Sequence, residues 1–156
     1  MTGRNGTDLV GRLGPNFATG GEPAADYVVY LQNPREKQKS ARISWKSYRS
    51  QLKNDGLTLA TTRLATTKDG VLLVEFQVAS GSRQKLNPEW IWLTQNRNTR
   101  PIHGLMLSSQ EVDARKPISG VMQILRNDVS ETDPLRIELR RKRSSFLSLP
   151  KVNAWK

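Results

Sequence analysis

The strongest cluster of charged side chains in the sequence is a run of four cations that is followed by two serines. The run consists of Arg140, Arg141, Lys142 and Arg143. Like charges at this spacing repel one another by about 1 kcal/mol per close pair in water. A solvated turn tolerates that repulsion, and phosphates or carboxylates relieve it. The run therefore predicts a surface for an anionic partner, with a merely solvated turn as the alternative.

A second cluster interleaves aromatic rings with cations, because Trp45 and Tyr48 alternate with Lys46 and Arg49. Rings of this kind stack on nucleic-acid bases while the cations neutralise phosphates. The same rings are also typical of the core side of an amphipathic helix, or of a basic helix on anionic lipid. We take Trp45, Lys46 and Arg49 as candidate contacts, and Trp155 near the end of the chain as a candidate anchor for a partner.

Residues that could carry catalysis are scarce. The single histidine, His103, is the only candidate for a general base at neutral pH, and no G-x-S-x-G nucleophile motif accompanies it. The chain has no cysteine, which excludes a thiolate nucleophile and a cysteine zinc site. Asp128, Glu131 and Asp133 lack the spacing of a calcium loop. We therefore expect no enzymatic activity, no catalytic residue, no cofactor and no metal.

The elements before residue 57 are predicted to be an arm, a strand and a helix. Residues 1–25 are rich in glycine and poor in large apolar groups, so we expect a flexible arm. In residues 26–56, a strand-like run from Asp26 to Gln32 precedes a basic amphipathic helix. Gly56 would end that helix. For residues 37–54 a strand around Ile43 and Trp45 is the alternative. The stripe that favours the helix is Ala41, Trp45, Tyr48 and Leu52.

Short apolar or alternating runs, separated by turn residues, follow Gly56. Seven such runs predict a mainly β fold, an immunoglobulin-like antiparallel β-sandwich over residues 57–150, with a tail at 151–156. The predicted strands are Leu57–Ala65, Val71–Ala79, Glu89–Gln95, Ile102–Leu107, Gly120–Leu125, Leu135–Arg141 and Ser145–Leu149.

Four stretches of this region resemble the small immunoglobulin-like accessory domains of bacterial cell-envelope and phage proteins. The resemblance covers residues 57–150 and implies adhesion, scaffolding or complex assembly rather than chemistry. The stretches that carry it are Gly70–Val78 with the break at Ser80–Ser82, Pro88–Trp92, Pro117–Met122 and Leu135–Leu139.

The net charge of +11 is concentrated outside the predicted sandwich body. Residues 57–134 carry a net charge of +1, whereas residues 26–56 carry +4 and residues 135–156 carry +6. We expect a non-enzymatic subunit of a larger protein assembly, a cell-envelope machine or a virion, which binds its neighbours through arm, tail and basic patches. A nucleic-acid-binding protein that uses the same patches on phosphates is the alternative.

No apolar run is long enough for a secretory signal or a membrane span. The expected location is therefore the cytoplasm, a virion or, after processing, the outside of the cytoplasm.

Overall fold

Residues 44–155 are described by a computed structural model, and they form antiparallel strands joined by turns and three short 3₁₀ helices. The 3₁₀ helices are Pro88–Trp90, Arg126–Asp128 and Val152–Trp155. The strands are β1 (Ser44–Ser47), β2 (Gln51–Asn54), β3 (Leu57–Thr66), β4 (Val71–Ser80), β5 (Gln84–Lys85), β6 (Ile91–Gln95), β7 (Asn98–Arg100), β8 (Gly104–Leu107), β9 (Glu111–Val112), β10 (Ile118–Leu125), β11 (Leu135–Arg140) and β12 (Ser144–Leu149).

The strands are arranged in two main sheets. In the six-stranded sheet the order is β1-β3-β4-β10-β8, and β2 also pairs with β3. In the four-stranded sheet the order is β12-β11-β6-β7. A separate ladder joins β5 to β9. Because all these pairs are antiparallel, each sheet can turn one apolar face inward and leave the other face outward.

The core lies between the two sheets, where alternate residues of each strand meet. On β11, Leu135, Ile137 and Leu139 are fully buried, and residues of both sheets contribute to one hydrophobic cluster. Gly120 on β10 lies directly opposite Phe76 on β4. A Cβ atom at position 120 would overlap the Phe76 ring, so a glycine is required there.

The predicted mainly β fold is confirmed, and all seven strands predicted after Gly56 are present. Their bounds differ from the predicted ones by two residues or fewer, because clear alternation and turn residues mark them.

The predicted helix is wrong over residues 44–55, where the structure has β1 and β2 instead. Both strands pair with β3 along the edge of the six-stranded sheet. Asp55 and Gly56 have φ values of 56° and 86°, so they form the hairpin turn between β2 and β3 rather than a helix end. The predictions for residues 1–43, including the arm and the strand at Asp26–Gln32, lie outside the described residues.

Within residues 44–155, no helix has the length and the apolar character needed to cross a membrane.

Candidate binding face

The outer surface of the four-stranded sheet carries the candidate binding residues, and we call it the basic face. Alternation along β11 directs Arg136 and Arg140 to this surface, because Leu135, Ile137 and Leu139 of the same strand face the core. In the register of the sheet, Glu138 on β11 lies opposite Trp92 on β6 and Phe146 on β12. The strands of this sheet and their turns (residues 91–100 and 135–149) carry seven basic residues and one acidic residue.

Three guanidinium groups stack on aromatic rings at this sheet. The Cζ atom of Arg136 lies 3.9 Å from the centroid of the Phe146 ring. Arg140 stacks on Trp92 at 4.0 Å, and Arg141 stacks on Trp90 at 4.4 Å. Stacking holds a guanidinium plane in place while its N–H groups remain able to bind an anion.

Glu138 is the one carboxylate of this sheet, and it is almost fully buried. The Nε of Arg140 lies 3.0 Å from Glu138 Oε2. One stacked arginine is therefore partly neutralised within the chain, and its charge is not fully available to a partner.

Arg141 is held by the neighbouring β2–β3 hairpin. Its Nη1 donates to the carbonyl oxygen of Asp55 at 3.1 Å, and its Nη2 lies 3.8 Å from the Asp55 carboxylate. The side-chain amide of Asn54 donates to the carbonyl oxygens of Leu139 and Arg143 at 2.9 and 3.0 Å. These contacts fix the β11–β12 turn against the other sheet.

The four cations of the predicted run therefore differ in their surroundings. Arg140 and Arg141 are half-buried and paired, whereas Lys142 and Arg143 are exposed at the turn. The side chains of Lys142 and Arg143 form no hydrogen bond or ion pair with other residues of the described part. The available charge of the run is thus concentrated at its last two residues, which lie in the β11–β12 turn after the stacked Arg140 and Arg141.

The structure does not place the second predicted cluster on the basic face. Trp45 pairs with Ala65 in the six-stranded sheet, and Arg63 stacks on its ring at 4.2 Å. The same arginine forms a bidentate ion pair with Glu75 at 2.8 and 3.0 Å. Lys46 donates to the carbonyl oxygen of Ala154 at 2.9 Å, and Arg49 is exposed.

Trp155 is 1% exposed, and its indole N–H donates to the carbonyl oxygen of Pro150 at 2.8 Å. The ring packs together with Val152 in the hydrophobic cluster. Trp155 therefore fixes the end of its own chain, and in this conformation it presents no surface to a partner.

The other polar candidates, His103 and the carboxylates that precede β11, have contacts of their own. His103 is exposed just before β8, and its backbone N–H donates to the carbonyl oxygen of Gln123 at 2.8 Å. Asp133 accepts from the side-chain amide of Asn96 at 2.9 Å, and Glu131 lies 3.6 Å from Arg126. No group of three or more potential metal ligands occurs among residues 44–155.

Three residues of the basic face, Trp92, Arg136 and Phe146, are absent from the predicted site, and so is Trp90 of the 3₁₀ helix before β6. The alternation of β11 does place Arg136 on the outer side. Stacking of the arginines on rings from β6 and β12 depends on the register of three strands, which the sequence does not specify.

No family model matches the chain, and no curated protein matches it. Among solved structures, a functionally unknown protein from Listeria monocytogenes EGD-e is similar over 69% of this chain and 85% of its own. The sequence identity is 10% and the TM-score is 0.47, a level of similarity that carries no information about function.

Proposed function

We propose that this protein is a non-enzymatic subunit of a larger protein assembly, a cell-envelope machine or a virion, and that the basic face binds an acidic surface of a neighbouring protein. The observation that carries the proposal is the stacking of Arg136 on Phe146 and of Arg140 on Trp92, on the outer surface of one sheet. Arg141, which stacks on Trp90 of the preceding 3₁₀ helix, and exposed Lys142 and Arg143 extend this charge at the β11–β12 turn.

The arrangement of the strands supports an immunoglobulin-like scaffold as part of the proposal. Immunoglobulin constant-type domains have one sheet in the order A-B-E-D and another in the order G-F-C. Here β3, β4, β10 and β8 follow the first order, and β12, β11 and β6 follow the second. Domains of this type commonly bind other proteins, which agrees with a role in assembly.

Arginines that are stacked on aromatic rings before binding are well suited to contact a protein partner. A side chain that is already held against a ring loses less conformational freedom when it binds, so more of its interaction energy contributes to affinity. Phe146 is the large apolar residue exposed within the described residues, at 41%, and it lies beneath Arg136. An interface of aromatic and arginine side chains has the composition typical of protein–protein contacts.

The test removes charge from the basic face without removing a buried ion pair. The binding variant carries Arg136→Gln, Lys142→Gln and Arg143→Gln in the full chain. The matched control carries Lys68→Gln, Arg115→Gln and Lys116→Gln, which removes the same charge from exposed positions elsewhere. Each protein is tagged and isolated from its native cells, with and without nuclease, and the mass of its complex is measured by light scattering.

We expect the wild-type chain and the control to travel in a large nuclease-resistant particle, and the binding variant to be released from it. Loss of three exposed contacts should weaken binding by about tenfold or more, at roughly 0.5 kcal/mol for each contact. A binding variant that stays in the particle would contradict the proposal, as would a control that is released equally.

A nucleic-acid-binding protein is the second candidate, and the interleaving of rings and cations on an open sheet surface favours it. Aromatic side chains on such a surface can stack on bases, and the adjacent arginines can contact phosphates. Dissolution of the native particle by nuclease would select this candidate over a protein partner.

A further inference from the structure

The outer face of the six-stranded sheet has an exposed half and a shielded half. In the exposed half, Gln77 and Ala79 on β4 and Ser119 on β10 are exposed. In the shielded half, Ala65, Leu73, Met106 and Val121 form a group that we call the apolar patch, and Gln123 beside Leu73 and Glu75 beside Val121 lie on the same side of the sheet. Ala65 lies opposite Leu73, and Val121 lies opposite Met106, so these four side chains share one side of the sheet.

The apolar patch is shielded from solvent although it faces away from the core. Its residues are 0%, 1%, 4% and 5% exposed in the single chain, in the order given above. The neighbouring residues Leu72, Val74 and Phe76 of β4 fill the opposite, inward side. Within residues 44–155, the strands that carry the patch contact mainly their neighbours in the same sheet.

We propose that the apolar patch is the docking surface for residues 26–32 of the same chain. A second copy is not required to cover the patch, because the side chains are already shielded within one chain. Among residues 1–43, the run from Tyr27 to Leu31 is the densest group of large apolar side chains. Burial of such a run against an apolar sheet face contributes about 25 cal/mol for each Å² removed from water.

The connection to β1 has the length and the position that this docking needs. The chain enters the sheet at Ser44, and Trp45 lies in the same row as Ala65 and Leu73. That row crosses the five strands from β1 to β8, which at about 4.8 Å per strand spacing is about 19 Å. Residues 33–43 span up to about 36 Å when extended, so residues 26–32 can reach any part of the patch.

The absence of cysteine makes disulfide trapping a direct test in the full chain. One pair of variants combines Val28→Cys or Val29→Cys with Val121→Cys, because neighbouring residues of an extended run face opposite sides. The matched control combines the same two positions with Thr99→Cys, an exposed site on the basic face. We expect a disulfide within one chain at position 121 for at least one of the pairs, and none at position 99.

A disulfide between two chains would overturn the proposal in favour of a second copy. Equal trapping at positions 121 and 99, or trapping at neither, would overturn it as well.

A second measurement does not depend on disulfide geometry. In the full chain with Val121→Cys alone, we expect slow labelling by a thiol reagent. Addition of Val28→Asp and Val29→Asp should raise the labelling rate about tenfold or more, since charges in residues 26–32 oppose docking. Addition of Leu9→Asp and Val10→Asp is the control and should leave the rate unchanged. Rates that are equal in the two charged variants would contradict the docking of residues 26–32.

Discussion

At the scale of single residues, the guanidinium of Arg140 connects three different groups on the basic face. It lies 3.0 Å from the Glu138 carboxylate, 4.0 Å from the Trp92 ring centroid and 3.5 Å from the Thr99 hydroxyl. Glu138 is 7% exposed, so water does little to stabilise its charge. A buried carboxylate that loses its cationic partner destabilises the fold. Arg140 therefore contributes to the free energy of folding although it lies at the surface.

We predict that Arg140→Met lowers the free energy of unfolding by about 1–2 kcal/mol, because the buried Glu138 carboxylate then loses its ion-pair partner. Addition of Glu138→Gln should recover part of that loss, since the neutral amide costs less to bury. Arg136→Met is the matched control, because Arg136 stacks on Phe146, and its loss should be about 0.5 kcal/mol. Urea unfolding of the four proteins measures these differences. Equal losses at positions 136 and 140, without recovery in the double variant, would contradict the pairing.

The sequence predicts the run of cations, but it does not predict which residues Arg140 and Arg141 contact. Arg140 reaches Trp92 diagonally, because Glu138 is the residue that lies opposite Trp92 in the sheet. Arg141 is bound by Asp55, which belongs to a different hairpin. These partners follow from the register of strands that are distant along the chain, and composition and spacing do not encode that register.

At the scale of elements, residues 44–54 explain why a helical stripe can be present in a strand. The stripe places Trp45, Tyr48 and Leu52 together on a helix, but in the structure each has a different environment. Trp45 lies on the outer sheet face, Leu52 is in the core, and the Tyr48 hydroxyl donates to the carbonyl oxygen of Ser148 at 2.7 Å. Pairing with β3 overrides the weak local preference for a helix.

The β2–β3 turn depends on a glycine at position 56. We predict that Gly56→Ala lowers the free energy of unfolding by about 1–2 kcal/mol, because its φ of 86° is unfavourable for alanine. The new Cβ would also lie 3.1 Å from the side-chain nitrogen of Gln84. Gly81→Ala is the control, since no atom lies within 4 Å of its added Cβ, and it should change stability by less than about 0.5 kcal/mol. Thermal unfolding compares the two variants, and equal shifts would contradict this role of Gly56.

An ion pair at the β5–β9 ladder joins Arg83 to Glu111, and it shifts the pKa values of both groups. The Arg83 guanidinium donates to Glu111 Oε1 at 2.9 Å. This hydrogen bond, and then the charge attraction, lowers the pKa of Glu111 and raises the pKa of Arg83. The lowered pKa of Glu111 means that its contribution to stability is present above the ordinary glutamate pKa and is lost as the pH falls through the lowered value.

We predict that Arg83→Gln raises the pKa of Glu111 toward the ordinary range, and that Arg83→Lys, which keeps the charge, gives a smaller rise. A carboxyl carbon NMR titration of Glu111 in the full chain measures both shifts. The overall melting temperature should change little, because both side chains are exposed. The same pKa in all three proteins would show that Arg83 does not perturb Glu111.

At the scale of the whole molecule, the positive charge of residues 44–155 is concentrated on one side. Folding adds Arg97 and Arg100 to the same sheet as the Arg140–Arg143 run. By contrast, Arg63 beside Trp45 is neutralised by Glu75 on the six-stranded sheet. The charge count by segment predicts where the excess lies along the chain, but only the sheet order shows which cations share a surface.

This one-sided charge leads to a salt-dependence prediction. A nucleic-acid site that neutralised roughly six phosphates would lose about a thousandfold in affinity for a duplex, and about three hundredfold for a single strand, between about 50 and 200 mM salt. At about 200 mM salt we expect the native assembly to persist and the binding of the protein to a single-stranded oligothymidine to be lost. Light scattering measures the mass of the assembly, and fluorescence anisotropy measures oligothymidine binding. An assembly that dissolves in parallel with oligonucleotide binding would contradict a protein partner.

The contact between Lys46 and Ala154 brings the two ends of the described body side by side, with 2.9 Å between the ammonium nitrogen and the carbonyl oxygen. The two residues are 108 positions apart in the sequence, so this contact joins strand β1 to the last 3₁₀ helix at one place on the surface. Spectroscopic probes attached at positions 46 and 154 would therefore report on the same local environment.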